Sequence, residues 1–243
     1  MEFEHITFDL PHGIFHALQG GDPDGQPTIF LHGFPDHPPT AKAFLAELGR
    51  RGRYVIAPWL RGYAPSPTAG PFDFSAERIE RAVTLAIPHP LTFMGRMTSP
   101  AQLRRSWYMG LFQLPGSGWL ATTRDLVLID HLWRQWSPGF SLEPALRKEL
   151  HEHLWASMPA PLKFYRAMLR PGMFDATRER LSRLRCPCCS FTEQTTAASS
   201  PQRSTTSIGL PPSAKTRSFL TWATFCTLRH PRQLRNESRH GPD

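Results

Sequence analysis

The run Pro27-Thr28-Ile29-Phe30, passing directly into Leu31-His32-Gly33-Phe34-Pro35-Asp36, constrains the fold more than any other part of the chain. A short apolar run that ends in turn residues reads as a buried strand. The loop after it is built to turn sharply. Gly33 tolerates backbone conformations closed to other residues, and Pro35 stiffens the exit. Ala41 to Leu48 then places Ala41, Phe44, Leu45 and Leu48 on one helical face, with Gly49 and Gly52 ending the helix, and Tyr54-Val55-Ile56-Ala57 reads as the next strand. Strand, loop, helix and strand in this order predict an α/β fold with a parallel sheet and a crossover helix.

The flanking segments extend this pattern. Glu4 to Leu10 and Ile14 to Leu18 read as two short strands joined by the turn Pro11-His12-Gly13, and the cluster from Gly20 to Gly25 is a second turn. Arg81 to Ile87 reads as another buried strand, stopped by Pro88-His89-Pro90. From there to about residue 170 the expectation is helical, with candidates at Arg104–Gln113, Thr122–Trp136, Leu142–Ala156 and Pro161–Leu169. In the second of these, Leu126, Ile129, Trp133 and Trp136 recur at helical spacing. After Leu184 the composition shifts to Ser, Thr, Pro and Arg. Thr192 to Ser218 reads as disordered, because such a stretch buries too little apolar surface to offset ordering entropy. Phe219 to Leu228 has at most the makings of a short amphipathic piece. The expected organisation is a core over residues 1–90, a helical cap over 91–170, a return to the core over 171–190 and a disordered basic tail over 191–243.

The net charge of +8 raises the question of a nucleic-acid or membrane partner. The arginines are spread along the chain without a patch of interleaved aromatics, so neither partner is expected. The N-terminus carries acidic residues where a signal peptide needs an apolar stretch, and no run approaches a membrane-spanning length, so the expectation is a cytoplasmic protein. Cys186, Cys188, Cys189 and Cys226 match no standard zinc spacing, and no metal or other cofactor is expected. His151 and His153 share a helix with Glu149 and Glu152 and read as a solvated helix face.

Taken together, these segments resemble the α/β-hydrolase superfamily, in its capped epoxide-hydrolase and haloalkane-dehalogenase branch. The resemblance rests on Leu31–Asp36, on Arg61-Gly62-Tyr63 after the following strand, on Val83 to Pro90, and on two cap segments. One is Ser106-Trp107-Tyr108-Met109-Gly110-Leu111-Phe112-Gln113-Leu114-Pro115-Gly116, and the other is Lys163-Phe164-Tyr165-Arg166-Ala167. It implies that His32, Gly33, Phe34 and Pro35 form an oxyanion loop, with a backbone N–H aimed at a developing negative oxygen. It also implies that Tyr108 and Tyr165 hold and protonate the oxygen of a small apolar epoxide-like substrate, a role suited to a phenol opposite an opening alkoxide. Read on residues alone, the two are equally ordinary half-buried helix tyrosines.

The chain departs from that family where the chemistry is hardest. Neither Gly-x-Asp-x-Gly nor Gly-x-Ser-x-Gly occurs, so the nucleophile elbow is missing. The interval between Tyr63 and Val83 is about 20 residues, where two βα units need on the order of 60. An internal deletion with its join near Phe74-Ser75-Ala76-Glu77 accounts for this, and Glu77-Arg78-Ile79 reads as the end of the helix that follows the elbow. The late acid and Gly-His are also missing. The composition change at Cys188-Cys189-Ser190-Phe191-Thr192 reads as an altered reading frame, which leaves His230 and His240 as poor replacements for the family's histidine. The expected protein is epoxide-hydrolase-like and catalytically impaired, or else a non-catalytic remnant that binds a small molecule.

Overall fold

The computed structural model describes residues 1–70, 79–85, 99–137, 141–172, 175, 179, 188–191 and 223–228, with 79–85, 188–191 and 223–228 described by backbone pairing alone. Its strands are β1 (Glu4–Leu10), β2 (Gly13–Gly21), β3 (Gln26–Leu31), β4 (Arg53–Pro58), β5 (Ile79–Leu85), β6 (Cys188–Phe191) and β7 (Ala223–Leu228). Helix α1 (Lys42–Arg50) joins β3 to β4. A helical layer follows β5: α2 (Pro100–Arg105), α3 (Trp107–Leu111), α4 (Ser117–Trp136), α5 (Pro144–Ser157) and α6 (Leu162–Met168).

The strands form one sheet in the order β1-β2-β4-β3-β7-β5-β6. β3 and β4 pair in parallel, with Ile29 opposite Ile56, and α1 crosses between them as the strand–loop–helix–strand order requires. β5 and β6 are also parallel. β1 and β2 form an antiparallel hairpin, and β2 runs antiparallel to β4. The turn out of β2 depends on Gly21, at φ +94°, where an added Cβ would lie 2.0 Å from the Arg53 carbonyl oxygen.

Three findings differ from the sequence expectations. First, the sheet is mixed. β7 lies antiparallel to both of its neighbours, pairing Phe30 with Phe225 on one side and Val83 with Phe225 on the other. Residues 223–228 of the tail are thus a central strand, so the expected disorder does not extend to them. Second, Ile79 opens β5 and does not close a helix. Third, two expected helices are interrupted. Ser106 ends α2 and starts α3 with φ −101° and ψ 19°. In α4, Arg124, Asp125 and Leu126 take left-handed φ values of 50°, 54° and 59°. Left-handed backbone costs roughly 1–2 kcal/mol per non-glycine residue, and here complete burial of the Leu126 side chain offsets part of that cost. Asp73, the 74–77 join, His89, Cys186, the Thr192–Ser218 stretch, His230 and His240 lie outside the described residues.

Two apolar clusters organise the described part. Leu18, Phe30, Ala41, Leu45, Val55, Ala57 and Trp59 pack between α1 and the sheet, with Phe44 and Leu48 against them. This is the helical face legible in the sequence. The second cluster is built mainly from the helical layer (Tyr108, Met109, Phe112, Leu126, Ile129, Leu132, Trp133, Leu150, Leu154 and Tyr165 among others), but it also takes in Phe34 and Tyr63 from the loops after β3 and β4. The helical layer therefore packs directly onto the loop after β3. Helix ends are capped by Ser99, whose hydroxyl accepts the Gln102 N–H at 3.2 Å, and by Glu143, whose carboxylate accepts the Leu146 N–H at 3.2 Å. Among the described residues no helix is long and apolar enough to cross a membrane, and no group of three or more His, Cys, Asp or Glu side chains could hold a metal ion.

Candidate functional site

The loop at Leu31–Asp36 emerges from the end of β3 and is braced from within. His32 is buried, and its Nε2 lies 3.2 Å from the Leu60 backbone nitrogen. That amide can only donate, so Nε2 is the unprotonated nitrogen and Nδ1 carries the hydrogen. Nδ1–H then donates to the Gly33 carbonyl at 2.9 Å. The ring stands edge-on to Tyr63, with centroids 4.7 Å apart. Burial lowers the His32 pKa to about 4, with a further small push from His37, against partial opposition from the Gly33 hydrogen bond and Asp36. At neutral pH the ring is an uncharged brace between the loops after β3 and β4. Asp36 is similarly occupied. Its carboxylate accepts the His37 N–H at 2.8 Å and the Thr40 hydroxyl, at the entry to the short turn Pro38–Ala41.

Tyr108 and Tyr165 come together although 57 positions separate them in the chain (165 − 108). Their rings meet edge-to-face with centroids 5.7 Å apart. Phe34 is 5.5 Å from Tyr165, also edge-to-face, and Phe112 lies 5.2 Å from Tyr165 and 5.8 Å from Tyr108. Trp136 covers the other side of Tyr108 at 4.8 Å. Such pairs add about 0.5–1.5 kcal/mol each beyond area burial, and they fix ring orientation. Burial raises the pKa of both phenols well above the ordinary value, with the Tyr108 and Tyr63 neighbours adding to the effect at Tyr165. Both therefore remain O–H donors at any physiological pH, and neither hydroxyl bonds to another described residue.

The backbone around the tyrosines is tied together by side chains of the same two segments. Gln113 Nε2 donates to the Met109 and Tyr165 carbonyls, each at 3.1 Å. Arg166 Nε donates to the Phe112 carbonyl at 3.0 Å, and its terminal nitrogen reaches Ser117 Oγ at 3.1 Å. The layer is tied to the Leu31–Asp36 loop by Trp133, whose indole N–H donates to the Pro35 carbonyl at 3.1 Å in a buried setting. The Ala64 N–H donates to Ser157 Oγ at 3.0 Å and ties the end of α5 to the loop after β4.

His151 and His153 do not lie on a solvated face. His151 is buried, with Nε2 at 2.9 Å from Asp130 Oδ1. The Asp130 carboxyl pays for its partial burial through Arg147 and His151, which together hold it below the usual carboxylate range. His153 stacks between His37, at 4.9 Å, and Tyr63, at 5.8 Å. Burial, then His37 and His32, lower its pKa to about 3. The signal was available in the sequence. Leu150, His153, Leu154 and Ser157 fall on one helical stripe, and following the two leucines would have turned His153 inward. His37 carries no such periodic signal.

No protein-family model matches the chain, and no curated protein is similar to it in sequence. Solved structures are similar in fold. An epoxide hydrolase from metagenomes of hot environments is 24% identical, with a TM-score of 0.55 over 69% of this chain and 71% of that one. The epoxide hydrolase of Vigna radiata is 19% identical, with a TM-score of 0.57 over 79% of each chain. A structure from Pseudomonas aeruginosa, assigned to the epoxide hydrolases, is 16% identical, with a TM-score of 0.63 over 81% of this chain and 80% of that one. The mixed sheet, the crossover helix and the helical layer placed over the loop after β3 thus make up an α/β-hydrolase fold.

Proposed function

We propose that this is an epoxide-hydrolase-like protein that holds a small apolar epoxide-like molecule between its helical cap and its oxyanion loop, and that it is catalytically impaired. The observation that carries the reading is the edge-to-face pair of Tyr108 and Tyr165 beside Phe34. Two buried phenols with no competing partner among the described residues can both donate to one ligand oxygen, and the surrounding aromatic rings suit an apolar body. The epoxide-hydrolase neighbours support the same ligand class. Helices α2 to α6 serve as the cap expected over residues 91–170, and His32 shapes the loop without serving as a base.

Impairment follows from the sequence, which offers no nucleophile elbow. Two phenols can hold and protonate an epoxide oxygen. Ring opening also needs a carboxylate that attacks carbon and a base that activates water for the ester. The second reading, a non-catalytic binding protein, is favoured by β7. An antiparallel strand between β3 and β5 occupies the central slot in which the family's elbow strand would run. Incubation of the purified protein with a styrene-type epoxide, beside Tyr108→Phe, tests both readings. The expected result is saturable binding without turnover, weakened in the variant. Robust turnover that vanishes in Tyr108→Phe would reveal a nucleophile, with Asp36 and Asp73 the first to mutate.

A further inference from the structure

The stretch from α2 to the first half of α4 presents an apolar stripe to the outside. Backbone hydrogen bonds run on through its breaks, from the Ser106 N–H to the Gln102 carbonyl, from the Leu114 N–H to the Leu111 carbonyl and from the Leu120 N–H to the Gly116 carbonyl. Along this path Tyr108, Met109 and Phe112 are buried, whereas Leu103, Trp107 and Leu114 recur at near-helical spacing and are exposed, Leu103 at 53% and Leu114 at 55%. Ser117 and Ala121, four positions apart, are buried, so Trp119 between them points outward. It is 73% exposed, and Leu120 beside it is exposed as well. A large exposed tryptophan among exposed leucines marks an interaction surface.

Charge is segregated in the same way. Residues 99–124 hold three arginines, Arg104, Arg105 and Arg124, and no acid; the five acids of residues 99–172 all come later, at Asp125, Asp130, Glu143, Glu149 and Glu152. All three arginines are exposed. The sequence reading expected no membrane partner because the arginines are scattered along the chain, but here they border exposed tryptophan and leucine. The combination selects the occupant. A second copy of the chain meeting this face symmetrically would set like charges against each other. A nucleic acid supplies phosphates, but it binds by stacking on aromatic rings and has no use for three exposed leucines. An anionic bilayer meets both halves of the pattern: its headgroups attract the arginines, and its acyl boundary takes up leucine and tryptophan. We propose that the outward face of residues 103–120 docks peripherally on an anionic lipid surface, with Leu114 and Trp119 entering the interface and Arg104 and Arg124 at the headgroups. This role is separate from the Tyr108–Tyr165 pair, which belongs to the buried side of the layer.

The test is co-sedimentation of the full chain with vesicles of phosphatidylcholine alone and of phosphatidylcholine mixed with an equal part of phosphatidylglycerol. Binding should be confined to the mixed vesicles, weaken as salt is raised and shift the tryptophan emission to the blue. Trp119→Ser, a change at an exposed position that leaves folding intact, should lose most of the binding and most of the shift. Arg104→Gln should bind about fivefold more weakly, the effect of removing one basic side chain near such a surface. Val127→Ser, at an exposed apolar position on the acid-bearing half of α4, should bind like the wild type. The proposal is overturned if the chain ignores both kinds of vesicle or binds both alike, or if Trp119→Ser binds like the wild type, which would assign the binding to another part of the chain. It is equally overturned if Trp119→Ser abolishes self-association in sedimentation velocity, or binding of a single-stranded oligonucleotide, in place of vesicle binding.

Discussion

Acid should unfold this protein through histidines that are buried uncharged, and His32 gives the sharpest test. In the folded chain its pKa is lowered from 6.5 to about 4, chiefly by burial. In the unfolded chain the ring returns to its ordinary value. The folded state thus binds fewer protons than the unfolded state throughout the interval between the two values. The stabilisation is complete above about pH 6.5 and is lost as the pH falls toward 4. One pKa unit corresponds to about 1.4 kcal/mol, so His32 accounts for a loss of about 2 kcal/mol between pH 7 and pH 5, rising to about 3 kcal/mol near pH 4. His32 is almost fully buried, so solvent screening takes little from this figure. Denaturant titrations at a series of pH values read the slope directly, provided that the wild-type slope is compared with that of His32→Phe. The variant loses the bonds to Gly33 and Leu60 and starts less stable, but its stability should fall less steeply over this range. Equal slopes in the two proteins would refute the buried neutral tautomer and the brace built on it.

Trp133→Phe removes the donor to the Pro35 carbonyl while keeping most of the ring, and should cost about 1–3 kcal/mol by denaturant unfolding. Leu154→Ala, at a fully buried position of the helical layer, should cost about 2–5 kcal/mol in the same assay. Tyr165→Phe should change stability by less than about 1 kcal/mol, because its hydroxyl has no partner among the described residues, while weakening an epoxide-like ligand by about five- to tenfold in calorimetry. Cys226→Pro, opposite Ile29 and Ala82 in the middle of the sheet, should abolish cooperative unfolding, since proline cannot supply a ladder N–H in a central strand.

Legibility followed the range of the interactions. The α1 face, the β3–β4 pair and the hairpin of β1 and β2 were readable because each rests on a local period or on a short turn. The meeting of Tyr108 with Tyr165 was readable only through resemblance, because no spacing rule links positions so far apart in the chain. The break at 123–126 was not readable, since Arg124, Asp125 and Leu126 offer none of the glycine or proline that marks a reversal, and burial of Leu126 overrides local preference. β7 was missed for the converse reason. Ala223-Thr224-Phe225-Cys226-Thr227-Leu228 is a reasonable strand by β-propensity, but it stands in a polar, proline-rich context, and its partners lie far back in the chain.

The position of β7 connects the fold to the proposed loss of chemistry. A shortened core would leave the facing edges of β3 and β5 with rows of unpaired N–H and C=O groups, a costly and aggregation-prone state. Any segment with adequate β-propensity relieves that cost if it can reach the slot, and the direction of its chain is of secondary importance to the ladder. Direction is decisive for catalysis. A parallel strand in this slot would run like β3 and end beside the Leu31–Asp36 loop, where a sharp turn into a helix presents a nucleophile to the ligand. β7 runs the opposite way. It enters the sheet at the Leu31 end, with Thr224 opposite Leu31, and leaves beyond Thr28, away from the two tyrosines. The pairing that completes the sheet therefore fills the slot without restoring an elbow, which is why a folded protein with an intact tyrosine pair is expected to bind a ligand without turning it over.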